Sequence, residues 1–175
     1  MSRRLKPTVP PPESPGRETP LLFLDKDGRW FHQGVEITHP RTRSLFLRSL
    51  VRGEDRRYYV RVGQECAVVE VEDAPFLVTS VTVVDFPGSG GCEYRIVLND
   101  GSEEFLDPRT LTIDRDNVMY GLVKDAGERA RFLRSAYYQI CDRVEYSERE
   151  DRYLLPWKGF HITIQGGGQP AGSEA

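Results

Sequence analysis

Cysteine is scarce in this 175-residue chain: Cys66, Cys92 and Cys141 form an odd, widely spaced set without C-x-x-C spacing. That excludes a disulfide framework and a cysteine zinc site, and it suits reduced thiols in a cytoplasm. Long apolar runs are missing too, so no membrane span is expected. The opening Met1-Ser2-Arg3-Arg4-Leu5-Lys6-Pro7 has basic residues with no apolar stretch behind them, unlike a secretory signal. Charge of one sign is lacking as well: 24 basic residues face 27 acidic ones, for a net charge of -3. A general nucleic-acid binder would carry a basic excess or stripe, so no DNA partner is expected. Enzyme motifs are absent. Gly88-Ser89-Gly90-Gly91 lacks the spacing and lysine of a phosphate loop and contains no nucleophile elbow. His32, His39 and His161 make no H-E-x-x-H arrangement, and Cys66, within a strand-like run, reads as inert core. No catalytic residue, metal or cofactor is expected.

What the chain does contain is a folded middle between two unpromising ends. Residues 1–20 hold half of the 12 prolines and almost no large apolar side chain, so they read as a disordered tail. Residues 166–175 read the same way. Between them, Leu21 to Asp25 is an apolar run stopped by Asp27-Gly28, and Trp30 to Ile37 resumes as a strand. A first helix is predicted from near Thr38, with Pro40 in its first turn, Leu45, Phe46 and Leu50 on its core face, and Gly53 ending it. Tyr58, Val60 and Val62 alternate with polar residues, as do Ala67, Val69 and Val71, and Phe76 to Phe86 reads as a long strand. After the glycine break at 88–91 come a strand ending at Asn99-Asp100-Gly101, a short strand, and the longest predicted helix, near Asp125 to Arg143. Asp125 and Glu128 suit its cap, with Ala126, Ala130, Leu133, Tyr137, Ile140 and Val144 on its apolar face. A hairpin around Ser147 to Asp151 and a strand from Phe160 to Ile164 complete the pattern.

The order of elements therefore repeats: Asp-Gly turn, strand, helix, charged turn, hairpin. Phe46-Leu47-Arg48-Ser49 even returns as Phe132-Leu133-Arg134-Ser135 in the second helix. An α+β protein is expected, with two tandem related units, each an antiparallel sheet with one helix, over residues 21–86 and 87–165. A cleft where two such units meet would be a common place for a ligand.

Asp27-Gly28-Arg29-Trp30-Phe31-His32-Gln33-Gly34, Ile37, the Leu45-Phe46 helix and Glu70-Val71-Glu72-Asp73-Ala74-Pro75-Phe76 together resemble domain-of-unknown-function family 1285 of bacterial proteins. The likeness is specific over residues 24–78 and looser in the second half, where Glu128-Arg129-Ala130-Arg131 with Arg134, Tyr137 and Tyr138 carries it. The resemblance implies tandem duplication and a C-terminal half superficially like pleckstrin-homology domains. It also implies a ligand site at the domain interface for a nucleotide-like molecule, a role in signalling, and no enzymatic activity. Val62-Gly63-Gln64-Glu65-Cys66 departs from the family pattern.

Each motif also has a structural reading. Trp30 and Phe31, adjacent on a strand, must face opposite sides, and one of them belongs in the core. His32 shares Trp30's side and fits a hydrogen-bonded structural residue as well as a ligand contact. Glu70, Glu72 and Asp73 could act as acid and base or hold a cation. They could equally answer Arg57 and Arg61 on a neighbouring strand, at about 0.2–1 kcal/mol per pair, and that reading is preferred. Arg131, Arg134 and Tyr138, three and four apart on a helix, would line a polar stripe suited to an anion.

The expected function is non-catalytic: a ligand-binding or regulatory module taking an anionic, nucleotide-like molecule. Trp30, His32 and Phe76 would contribute from the first unit, and Arg131, Arg134 and Tyr138 from the second. The alternative is a protein–protein adaptor using the same groove or a sheet edge. A third reading, a hydrolase built on Glu70, Glu72 and His32, requires those side chains to converge.

Overall fold

The computed structural model describes residues 22–86 and 91–166, so the tail expected at 1–20 lies outside the described residues. So do the tail expected at 166–175, apart from Gly166, which ends a strand, and the glycine break at 88–91, apart from Gly91, which opens one. The chain divides into two compact units between Asp73 and Ala74.

The first unit contains β1 (Leu22–Leu24), β2 (Trp30–His32), β3 (Val35–Glu36), α1 (Pro40–Arg48), β4 (Leu50–Arg52), β5 (Tyr58–Val62) and β6 (Glu65–Val71). These strands form one sheet in the order β3-β2-β1-β6-β5-β4, joined at its centre by the parallel pair β1–β6. The predicted strand from Trp30 to Ile37 is a hairpin, because Gln33 and Gly34 (φ 50° and 82°) form a two-residue turn inside it. Helix α1 is also shorter than predicted. His39 opens it, with Nδ1 accepting from the Thr42 N–H, and at Ser49 the backbone N–H turns back on the last carbonyls. Leu50 therefore lies on a strand and Leu45 is exposed, leaving Leu47 as the buried residue of the helix. Gly53 closes the β4–β5 turn instead.

The second unit holds β7 (Phe76–Phe86), β8 (Gly91–Leu98), β9 (Glu103–Phe105), β10 (Thr112–Ile113), β11 (Met119–Val123), β12 (Glu128–Phe132), α2 (Arg134–Cys141), β13 (Glu145–Ser147), β14 (Arg152–Trp157), β15 (Phe160–Thr163) and β16 (Gln165–Gly166). The main sheet runs β16-β10-β11-β12-β7-β8-β9, and β13-β14-β15 form a second, antiparallel sheet. Strand β7, expected in the first unit, pairs with β8 and β12 and so belongs here. The stretch from Asp125 is not helical. Gly127 (φ 69°) turns the chain back, and Glu128, Ala130 and Phe132 alternate as buried residues of β12 between two strands. Helix α2 starts only at Arg134, so Asp125 and Glu128 cap nothing.

A duplication is visible in the register, though not where the sequence suggested. In the first unit Phe23 lies opposite Glu70, and in the second Thr112 lies opposite Gln165, each in a parallel pair, central in the first sheet and at the edge of the second. Likewise Leu24 faces Trp30 as Ile113 faces Met119, and Val62 faces Glu65 as Trp157 faces Phe160. Three strands, a helix and three strands thus occur over 22–71 and again over 111–166, where the counterpart of β6 is split into β15 and β16, with β7, β8 and β9 added beside β12. The turn matching Asp27-Gly28 is Asp114-Arg115-Asp116-Asn117 rather than Asn99-Asp100-Gly101, which closes the β8–β9 hairpin. The recurring Phe-Leu-Arg-Ser is coincidental: Ser49 ends α1, whereas Arg134-Ser135 open α2.

One carboxylate organises each of the paired turns, buried in Asp25 and half-buried in Asp114. Asp25 Oδ1 accepts the N–H groups of Asp27 (3.0 Å) and Arg29 (2.8 Å), while Oδ2 accepts Arg29 Nε (2.7 Å). Asp114 Oδ1 likewise accepts from the N–H groups of Asp116 (3.0 Å) and Val118 (2.8 Å). Gly28 and Asn117 take the positive φ these turns need, at 79° and 60°.

Candidate functional site

A cavity lies within the second unit, between α2, the β10–β11 turn and the sheet of β13, β14 and β15. Its volume is about 1080 Å³. Ile113 and Met119 form one wall, Tyr137, Cys141 and Val144 a second, and Tyr146, Tyr153, Thr163 and Ile164 a third, with Asp114, Arg115, Asn117, Asp151 and Arg152 among them. Helix α2 packs its buried Ala136 and Ile140 inward, and Gln139 Oε1 accepts the Val81 N–H at 2.7 Å, which ties the helix to β7. The opposite side of α2 is left to line the cavity.

Three tyrosines dominate the lining. Tyr137 donates to Asn117 Oδ1 at 3.0 Å and meets Tyr138 edge-on, with ring centroids 5.7 Å apart. Tyr146 and Tyr153 are cross-strand partners with centroids 5.3 Å apart, and Tyr146 donates its hydroxyl to Asp151. Burial, with Cys141 nearby, pushes the Tyr137 phenol above its ordinary value, and burial does the same to the Cys141 thiol. Donation to Asp151 raises Tyr146. The Tyr137 and Tyr146 phenols act as hydrogen-bond donors, and all three tyrosines offer aromatic faces. Arg152 Nε approaches the Glu150 carboxylate at 3.6 Å and remains half-exposed. The geometry suits a flat molecule held between aromatic faces, with guanidinium groups at hand for an anionic substituent.

The first unit has a smaller cavity, about 600 Å³, between α1 and the sheet, lined by Leu22, His32, Leu45, Phe46, Val60, Val62, Glu65, Cys66 and Ala67. Cys66 is exposed here, not core.

The residues chosen from the sequence fare unevenly. Trp30 is 1% exposed and meets Phe46 of α1 edge-on at 5.5 Å, so it is core and offers no ligand surface. His32 is exposed and lines the smaller cavity. Phe76 is buried opposite Ala130, with Lys124 Nζ 5.2 Å from its ring, and belongs to the second unit. Arg131 sits on β12 opposite Tyr120 and Leu77, while Arg134 and Tyr138 are exposed on α2. These three form no helical stripe, because the helix begins after Arg131. Among them only Tyr138 adjoins the large cavity, through Tyr137.

Glu70 lies opposite Phe23 whereas His32 lies opposite Leu22, which places the two on opposite faces of the sheet. Glu72 accepts the Lys26 N–H at 2.9 Å. The arginines expected to answer them do not: Arg61 faces Cys66, and Arg57 approaches Asp55 at 3.9 Å. The hydrolase constellation does not assemble. Among the described residues, no group of three or more His, Cys, Asp or Glu could hold a metal ion. No described helix is long and apolar enough to cross a membrane.

The sequence reading missed Asp25, Met119, Tyr146 and Tyr153. A signal existed for the first two, since Asp-Lys-Asp-Gly and Asp-Arg-Asp-Asn share one turn chemistry five residues before Trp30 and Met119. The paired tyrosines had no such signal, because only strand register brings them together.

Residues 13–74 match the N-terminal domain of the domain of unknown function DUF1285. No curated protein matches the chain. Among solved structures, a DUF1285 family protein from Silicibacter pomeroyi DSS-3 is similar at 24% identity, with a TM-score of 0.67 over 83% of this chain and 79% of that one. Another, from Shewanella baltica OS155, is similar at 22% identity and a TM-score of 0.54, over 70% of this chain and 91% of that one. At such identities the two structures speak for the fold alone. The motifs of the first unit and the family model that matches them agree: residues 13–74 carry the N-terminal domain of the DUF1285 family.

Proposed function

We propose that the protein is a non-catalytic, cytoplasmic binding module that takes a planar, anionic, nucleotide-like ligand in the second unit's cavity and serves regulation rather than turnover. The observation that carries this reading is the cavity of about 1080 Å³ walled by Tyr137, Tyr146 and Tyr153 with Arg115 and Arg152 in its lining. Its volume is of the size small-molecule sites have, with few polar groups among apolar and aromatic walls. The carboxylates present are engaged: Asp114 holds its turn and Asp151 accepts from Tyr146. Arg115, and Arg152 beyond its half-exposed pair with Glu150, are the charges nearest a ligand. An exposed free thiol at Cys66 suits a reducing compartment.

Thermal unfolding against nucleotides, cyclic dinucleotides and phosphorylated metabolites tests the reading. A ligand at a hundred times its dissociation constant adds about 2.7 kcal/mol, or several degrees in Tm for a chain of this length. The shift should vanish in folded Tyr153→Ala and Arg152→Ala chains. A flat panel, or a shift that both variants retain, overturns the proposal.

One observation favours an adaptor as the second reading. Edge strands β3 and β9 carry exposed apolar residues, Val35 (71% exposed) and Phe105 (56%), and open edges accept an added strand. A partner captured by the intact chain and lost on Phe105→Lys would support it.

A further inference from the structure

The two repeats share a strand register, but α1 packs on β5 whereas α2 packs chiefly on β7 and β12, and their cavities open at different ends. In the second unit the cavity lies at the turn end, where Ile113, Asp114, Asn117 and Met119 line it. The register counterparts in the first unit are Leu24, Asp25, Gly28 and Trp30, and none of them lines that unit's own cavity. The first unit is closed at its turn end because the Trp30 indole spans from β2 to Phe46 of α1, with 1% of its surface exposed. Met119 occupies the same sheet position, equally buried, and has no ring with which to make such an edge-on bridge. The space an indole would cross to α2 is left to Tyr137 and Cys141 at the cavity wall.

We infer that this one register position decides which copy keeps an open site, and that Met119 is the specificity-determining residue of the second unit's cavity. Trp30 makes the first copy a closed, structural version of the fold. Met119 leaves in the second copy a slot wide enough for a flat ring between α2 and the tyrosine pair Tyr146–Tyr153. Methionine suits that place for a second reason, since its flexible thioether adapts to, and packs well against, an aromatic face. The inference rests on the binding reading above for the ligand's chemistry, while the opening itself can be measured without any ligand.

The test is Met119→Trp in the full chain carrying Cys66→Ser. Cys92 is buried, so Cys141 in the cavity wall becomes the thiol that reports on access. The probe is 5,5′-dithiobis(2-nitrobenzoate), itself an aromatic anion. Met119→Trp should keep the far-UV circular dichroism of its parent and slow Cys141 labelling at least tenfold, whereas Met119→Leu should label at the parental rate. A folded Met119→Trp chain that labels within twofold of the parent overturns the inference. Should the indole prevent folding, Met119→Phe carries the test, with a threefold slowing expected and an unchanged rate refuting. Any compound that shifts Tm in the panel should lose at least tenfold in affinity for Met119→Trp. If labelling slows but no compound binds the parent chain, the binding reading fails while the role of position 119 in closing the cavity stands. If compounds bind both chains equally, the cavity still binds and position 119 does not govern it.

Discussion

Replacing Asp25 by alanine perturbs the most concentrated polar arrangement of the first unit. Its carboxylate, on a residue only 6% exposed, accepts two backbone N–H groups at 3.0 and 2.8 Å and Arg29 Nε at 2.7 Å. Hydrogen bonds to a charged group contribute about 1.5–3 kcal/mol each. The two backbone bonds therefore account for about 3 kcal/mol at the lower end. Arg29 is half-exposed at 51%, so its ion pair adds less than about 1 kcal/mol. Asp25→Ala should thus cost about 3–4 kcal/mol, and Asp25→Asn, which keeps one acceptor oxygen, roughly half as much. The assay is urea unfolding followed by Trp30 emission in a Trp157→Phe background, so that the signal comes from the first unit alone. Asp114→Ala, which lies in the second unit and is therefore followed by far-UV circular dichroism, is the internal comparison. Asp114 accepts the same two backbone bonds, is less buried and has no counterpart to the Arg29 ion pair, so it should cost less. A loss below about 1 kcal/mol for Asp25→Ala, or a larger loss for Asp114→Ala, would refute the account of these turns.

Three further outcomes are expected. Tyr59 donates to Asp55 at 2.6 Å, and that hydrogen bond is the main reason Asp55 titrates below its ordinary value. Tyr59→Phe should cost about 1 kcal/mol and move the Asp55 midpoint in an NMR titration upward; an unmoved midpoint contradicts this. Burial pushes Asp100 up, but hydrogen bonds from Lys124 and Ser102 outweigh it and hold the carboxyl below its ordinary value. The stability it lends is complete above the unfolded value of about 3.9 and is lost as pH falls through the lower folded value. Urea midpoints between about pH 5 and pH 2 should consequently fall less steeply for Lys124→Met than for the parent chain, and equal slopes would refute the coupling. Gly91→Ala would place a Cβ 2.7 Å from the Gly159 nitrogen, against backbone that cannot step aside, where the Lys158 N–H bonds the Cys92 carbonyl at 2.9 Å. It should lower stability by about 1–3 kcal/mol, and an unchanged Tm would show that β8 and the β14–β15 turn do not pack as described.

Legible in the sequence were the α+β class, the Asp27-Gly28 turn, the burial of one ring from the Trp30-Phe31 pair and the DUF1285 likeness of residues 13–74. All of these follow from local chemistry, in turn residues, period-two alternation and a contiguous motif. Duplication was legible in outline, but its register was not, because Asp114-Arg115-Asp116-Asn117 uses asparagine where the first copy has glycine. Tertiary structure alone decided the fate of residues 125–133. Ala126, Ala130 and Leu133 satisfy a helical spacing while Glu128, Ala130 and Phe132 satisfy a strand spacing, and the free edge of β7 selects the second. With that choice Arg131 leaves the helix and the predicted anion stripe dissolves. The cavity in the second unit was likewise invisible in the sequence. Its walls come from five separate segments, and its openness depends on a side chain that is methionine in one copy where its counterpart is tryptophan. Local propensity fixes which residues turn and which alternate, but the pairing of distant strands fixes which of them meet.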